Sequence, residues 1–257
     1  MLQITSHNSV ATVMLDRPDR CNALSRELIE RLKEALSDLH QEKKIRAVIL
    51  AAMGSTFCAG VDLQQWHETL DQREPLQQWS EDVNSLKDLY EAMLLFPKPI
   101  IAAVDGAALG AGLGLVLACD LVVGSHRCNF GLPAPRRGLV SGLVAPLLSF
   151  RAGAATAARL LLGDDWLDSQ EAHRLGLVHH LVDPLHVWVR AQQWGEKISL
   201  CAAESQLLTK RLLNEVVGES VLMSLTSGAA LAASACTTEA AAEGLRSFVD
   251  KRDPKFR

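Results

Sequence analysis

The chain has 257 residues, 48% of them apolar and 22% charged, with a formal net charge of −4. These proportions are those of an ordinary globular protein and exclude disorder, and a mildly acidic chain without a Lys/Arg block offers no surface for nucleic acid. The length lies at the upper edge of what one core can hold, so one main domain with a smaller helical end is expected.

Val10 to Leu15 alternates weakly and runs into Asp16-Arg17-Pro18-Asp19, which predicts a strand and a turn. Leu28, Ile29, Leu32, Ala35, Leu36 and Leu39 recur at helical spacing between Ser25 and Lys43. That helix returns the chain to an apolar strand, Ala47 to Ala52. The strand runs into Phe57-Cys58-Ala59-Gly60-Val61-Asp62-Leu63, where Asp62 has the position and chemistry of a helix cap. The order then repeats: a helix over Pro75 to Phe96, a strand over Ile100 to Val104, the turn Asp105-Gly106, and Gly110-Ala111-Gly112-Leu113-Gly114 opening a helix over Ala111 to Cys119. Leu121 to Val123 reads as another strand. The loop Gly131 to Gly138 carries two prolines and two arginines. The remainder reads as helical, with Asp183-Pro184 as an N-cap and N1 pair before a helix containing Trp188 and Trp194. Small residues between Ser227 and Cys236 allow close helix approach, either within the chain or to a second subunit. No internal repeat and no low-complexity linker is visible.

Glycine stands where a chain bends sharply or is approached closely, and a strand entering a helix through such a turn leaves N–H groups without partners. Two such turns, at Ala59 to Asp62 and at Gly110 to Gly112, read as an oxyanion hole at the carboxyl ends of strands. Six cysteines with no C-x-x-C pair read as reduced thiols of a cytosolic protein. The stretch Met1 to Ser9 lacks the pattern of a signal peptide, and the richest apolar run, Pro99 to Leu117, is broken by Asp105 and glycines. His179-His180 has no third ligand at metal spacing, so no metal is expected. Gly110-Ala111-Gly112 does not complete a dinucleotide fingerprint, because Leu115 stands where the third glycine belongs, and G-x-S-x-G is absent.

In order along the chain stand Arg17-Pro18, Asn22-Ala23-Leu24, Phe57 to Leu63, Asp105 to Gly110, Gly112, Ala118-Cys119-Asp120, Phe130-Gly131, Gly176-Leu177-Val178, Thr209 to Leu213, Glu243-Gly244 and Phe248. Together these resemble the crotonase superfamily, the enoyl-CoA hydratase/isomerase family, over nearly the whole chain. The resemblance implies an α/β fold: a crotonase-like repeated ββα core over residues 1–195 and a C-terminal helical trimerisation region over 196–257. It implies a homotrimer or a dimer of trimers that binds an acyl-CoA thioester, with coenzyme A as part of the substrate and no separate cofactor. By position, the N–H groups of Val61 and Ala111 would hold the thioester oxygen. The coenzyme would run past Arg20, Cys21 and Ala23 and the Ala59, Gly60 and Asp62 turn, with Lys251 or Lys255 reaching its phosphates.

The chain departs from the family at its acid–base pair. Hydratases carry two glutamates, and the matching residues here are Gly114 and Ala134; a third position used by other members falls at Gly142. None of these titrates, so ordinary hydration is in doubt. Isomerisation, decarboxylation or thioester hydrolysis with displaced groups, or acyl-CoA binding without turnover, are the readings left open. Glu91 and His67 are the candidate replacement acid and base, each with a solvated helix face as its plain alternative. Arg136 or Arg137 could fix a carboxylate-bearing acyl group by a bidentate contact, or be loop arginines. Asp62 and Asp120 read as a cap and a turn residue, Tyr90 as core or pocket, and Cys58 and Cys119 as small buried residues.

Overall fold

The computed structural model describes residues 1–216 and 218–256. Ten strands, β1 Leu2–His7, β2 Val10–Leu15, β3 Ala47–Ala52, β4 Thr56–Cys58, β5 Ile100–Val104, β6 Ala107–Leu109, β7 Leu121–Ser125, β8 Asn129–Gly131, β9 Trp166–Asp168 and β10 His180–Val182, form two sheets. The larger sheet has the order β1-β2-β3-β5-β7-β10, parallel throughout except for the antiparallel β1–β2 edge. The smaller has the order β4-β6-β8-β9, with β9 antiparallel. Strands β3, β5 and β7 are near-continuous apolar runs because both faces of this sheet are covered.

Eleven α-helices surround the sheets among the described residues: α1 Arg26–Gln41, α2 Leu63–Thr69, α3 Pro75–Leu95, α4 Ala111–Ala118, α5 Val144–Ala152, α6 Ala154–Leu162, α7 Ser169–Arg174, α8 Val187–Ser199, α9 Ala203–Arg211, α10 Glu219–Ala235 and α11 Glu239–Val249. Helix α8 covers the outer face of the large sheet through Val187, Ala191 and Ile198 against Val10, Ile49, Ile101 and Val123. The main core lies on the other face, between this sheet and helices α1, α3, α4 and α5. Helix α4 is apolar all round and wholly buried, as a helix at the centre of a fold must be.

The ββα repeat is spatial. Three strands of the large sheet are each followed by a short strand of the small sheet and then by helix: β3-β4-α2, β5-β6-α4 and β7-β8-α5. The glycine-rich turns therefore leave β4 and β6, three-residue strands of the second sheet, and not β3 and β5 as the apolar runs alone indicate. Strand β1 is a polar, largely exposed edge without a core-facing pattern. Asp183 opens a single 3-10 turn, Pro184–His186, with no side-chain cap bond, and α8 begins after it. Some of the small residues of α10 face inward: Ala229, Ala232 and Ala233 are buried and Gly228 meets Gly142 backbone to backbone, whereas Ser227, Ala230 and Ser234 are exposed.

Candidate functional site

Strands β4 and β6 pair in parallel, Thr56 with Ala107 and Cys58 with Ala108, so the turns that follow them emerge side by side. At Gly60, φ is +100°, and a Cβ there would stand 3.0 Å from Leu109 O and 3.4 Å from Ala111 N. Only glycine takes that conformation at that distance, so the two turns touch because residue 60 has no side chain. Leu24 forms an isolated parallel bridge to Val61: Leu24 N donates to Gly60 O at 2.7 Å and Asp62 N donates to Leu24 O at 3.0 Å. In a parallel bridge the residue between those two bonds turns its own N–H to the opposite side. Val61 N–H is thereby directed away from Leu24, and it has no backbone acceptor among the described residues. Ala111 is the first residue of α4, where the N–H has no intrahelical partner.

Val61 and Ala111 line one cavity of about 110 Å³ with Ala59, Gly60 and Gly110. Leu63 and Trp66 of α2, Val83 and Leu86 of α3, Ala232 of α10, and Pro133, Ala134, Arg137 and Leu139 to Val144 of the loop after β8 complete its wall. That loop follows β8, so all three repeats deliver their turns to the same place. It is clamped from behind by backbone contacts. A Cβ at Gly142 would meet Gly228 O at 2.1 Å, and one at Gly244 would meet Arg137 O at 2.0 Å.

Asn22 holds the loop from Arg17 to Ala23, with its buried side chain bonded to Arg17 N, Met53 O and Thr56 O at 2.8 Å each. Ala59 N donates to Cys21 O at 3.0 Å, which joins Arg20 to Ala23 to the first turn. Asp62 accepts from Gln64 N at 3.1 Å as the cap of α2 and pairs with Arg17 at 2.7 Å. Arg20, Cys21, Ala23, Ala59, Gly60 and Asp62 thus form one neighbourhood. Lys255 stands elsewhere, in a separate depression along α11 with Arg246 and Arg252, its N–H donated to Glu243.

The structure brings neither Glu91 nor His67 to the cavity. Glu91 pairs with Lys87 at 3.1 Å on α3, and on α2 the cavity-facing residues are Leu63 and Trp66, not His67. Ala134 lines the cavity, and Gly114 does not. A Cβ at Gly114 would stand 2.2 Å from Tyr90 Oη. The phenol of Tyr90 occupies the volume in which a longer side chain at 114 would lie, and it donates to Ala111 O at 2.7 Å. Burial holds that phenol well above its ordinary pKa, so it is a neutral donor that braces the first turn of α4. Sequence reasoning left Tyr90 between core and pocket; the missing side chain at 114 was the signal that something else fills the space.

The other titratable candidates are committed to structure. Asp120 accepts from Ile100 N at 2.7 Å and from Lys210 Nζ at 2.7 Å, and Lys210, itself buried, also donates to Met93 O and Lys98 O. This pair ties α9 to the start of β5. Burial pushes the Cys58 thiol up to about 12 and Cys119 further still, so neither is a thiolate at neutral pH. His179 Nδ1 accepts from Val122 N at 2.9 Å, and burial lowers its pKa. Arg136 pairs with Asp164, whereas Arg137 lines the cavity. A second cleft shares Val61 and Trp66 with the first and holds Glu30, Glu81 and Asp82; Asp82 is taken by a bidentate contact from Arg26 at 2.6 and 2.8 Å.

The family model for enoyl-CoA hydratase/isomerase matches residues 5–257. A Thermus thermophilus protein whose name carries enoyl-CoA hydratase is 36% identical over 251 residues, 96% of this chain and 97% of its own length. The human mitochondrial enoyl-CoA hydratase domain-containing protein 2 is 31% identical over 253 residues, 96% of this chain and 85% of its own. The crystal structure of an enoyl-CoA hydratase/isomerase from Pseudoalteromonas atlantica superposes with a TM-score of 0.87 at 30% identity, covering 100% of this chain and 99% of that one. With motifs, paired short strands and whole-length likeness in agreement, the chain belongs to the enoyl-CoA hydratase/isomerase family of the crotonase superfamily.

Proposed function

We propose that the cavity binds an acyl-CoA thioester with its carbonyl oxygen between the N–H groups of Val61 and Ala111. The observation that carries this is the parallel pairing of β4 with β6, which sets two partnerless amides on adjacent turns of one cavity. Charge gathers on a thioester oxygen when an enolate forms, and fixed donors hold that charge without reorganising. Each donor of this kind is worth about 2.7–4 kcal/mol of transition-state stabilisation. The N-terminus of α4 adds the positive end of a helix dipole at Ala111. Side chains at 61 and 111 do not enter this chemistry; they narrow the space for the acyl group. The coenzyme would lie along Arg20 to Ala23, the loop bonded to Ala59.

Hydration needs one group to activate water and another to protonate the α-carbon, each worth about 100- to 10,000-fold. Among the residues lining this cavity there is no carboxylate and no imidazole. Chemistry in which the enolate arises without a protein carboxylate therefore fits better than hydration, and binding without turnover is the second reading, favoured by the same observation. The test is a panel of enoyl-, 3-oxoacyl-, malonyl-type and saturated CoA thioesters, read for binding by calorimetry and for turnover by mass. Saturable binding supports the proposal, and turnover of one class selects the catalytic reading; absence of binding across the panel rejects both.

The assembly proposed is a trimer or a dimer of trimers. Exposed Leu208, Leu212, Leu213 and Leu231 in the C-terminal helical region supply apolar surface for it. Light scattering would then give a mass three or six times 27.9 kDa; a 27.9 kDa particle would exclude it.

A further inference from the structure

Among the described residues, Arg137 is the one charged residue lining a cavity whose wall is otherwise apolar but for Ser141 and the Trp66 ring. It makes no ion pair with a carboxylate among the described residues, in contrast to Arg136 beside it, which is taken by Asp164. Its guanidinium is nonetheless held in place. The plane sits over the Phe248 ring, 5.4 Å from the centroid, and Nη1 donates to Ser247 Oγ at 3.4 Å. Ser247 is fully buried and donates its own proton to Gly244 O at 2.8 Å, so its oxygen is fixed as an acceptor. The Arg137 backbone is fixed as well, because its carbonyl packs on Gly244, where no Cβ intervenes. A guanidinium has five donors in a rigid fork. Here one is used at long range and Cζ lies over the Phe248 ring, which leaves donors unspent on a residue that lines an apolar cavity. Such a fork matches a carboxylate bidentately.

We infer that the acyl group bound here carries a carboxylate, and that Arg137 is the specificity-determining residue that receives it. This rests on the reading of the cavity as an acyl-CoA site. An unbranched, uncharged acyl chain would fill the same apolar wall and leave the guanidinium without an anion. A dicarboxylic acyl thioester satisfies both, with the chain against Leu63, Val83, Leu86 and Leu139 and the terminal carboxylate on Arg137.

The experiment is calorimetric titration of the full-length natural chain and of Arg137→Gln and Arg137→Lys with butyryl-, malonyl-, succinyl- and glutaryl-CoA and with coenzyme A. At least one of the three dicarboxylic thioesters should bind the natural chain about tenfold or more tightly than butyryl-CoA, as expected of a charge-assisted bidentate contact. Arg137→Gln should bring that ratio close to one, and Arg137→Lys should leave it in between. Equal affinity of the natural chain for butyryl-CoA and all three dicarboxylic thioesters overturns the inference while leaving the acyl-CoA site standing. An equal loss across butyryl-CoA, the dicarboxylic thioesters and free coenzyme A in Arg137→Gln also overturns it, by placing the guanidinium on the coenzyme phosphates. Failure of every CoA thioester to bind removes the site itself and this inference with it.

Discussion

Gly114→Ala is the smallest change at the position where the family's hydratases carry a glutamate, and here two effects of opposite sign compete. In an open helix interior the substitution stabilises by about 1 kcal/mol, because glycine is the poorer helix former. In this chain the new Cβ would stand 2.2 Å from Tyr90 Oη and 2.5 Å from Cζ, and both residues are buried. Overpacking of a filled core costs about 1–3 kcal/mol. A phenol pushed aside also gives up its 2.7 Å bond to Ala111 O, and a buried hydroxyl donor left without a partner costs about 1–3 kcal/mol more. The balance is a loss of about 1–5 kcal/mol. At about 2–4 °C per kcal/mol for a chain of this size, the melting temperature falls by at least about 2 °C. Scanning calorimetry on the natural chain, Gly114→Ala, Tyr90→Phe and the double variant checks this. The double variant should lose less than the two single changes together, because Phe lacks the oxygen that the new Cβ strikes. A Gly114→Ala protein that melts higher than the natural chain would show that Tyr90 yields to the new Cβ without cost.

Other consequences are as direct. Ala134→Glu places one carboxylate in the cavity, so crotonyl-CoA hydration should rise about 100-fold or more over the natural chain, read by loss of enoyl absorbance; no rise would show that residue 134 does not face the reacting carbons. Lys210→Met strips Asp120 of its buried partner, and urea unfolding should report a loss of about 3–5 kcal/mol. Thiol reagents at pH 8 should label the exposed Cys21 and Cys201 and spare Cys58, Cys119, Cys128 and Cys236 until unfolding. Saturating acyl-CoA should then protect Cys21 alone. Burial holds the His179 pKa below its ordinary 6.5, so its stabilising contribution is complete above that pH. Below it the unfolded chain takes up the proton first, and stability falls with acidification until the native pKa is passed. His179→Asn should flatten that slope in urea titrations at pH 4.5 to 7.

The elements that sequence made legible are those whose burial imposes a pattern. Strands β3 and β5 are continuous apolar runs, and α1 shows its buried stripe at Leu28, Ile29, Leu32, Ala35 and Leu39. The short strands of the second sheet were not legible, since three residues carry no periodicity, and they are what brings the two turns together. The exposed edge β1 has no apolar side to betray it. Motif order identified the family and the missing glutamates. It did not show that Tyr90, 21 residues before Ala111, fills the place of one of them. Nor does the dipeptide Arg136-Arg137 tell which arginine meets Asp164 and which lines the cavity; the 3-10 turn Pro135–Arg137 decides that by turning adjacent side chains to different surroundings.

The role proposed for Val61 and Ala111 is to hold one thioester oxygen between two main-chain amides. A co-crystal structure with an unreactive acyl-CoA analogue tests it most directly. The carbonyl oxygen is expected about 2.7–3.1 Å from both Val61 N and Ala111 N, with the coenzyme along Arg20 to Ala23. A thioester seated outside the cavity, or one whose oxygen meets neither amide, would contradict it.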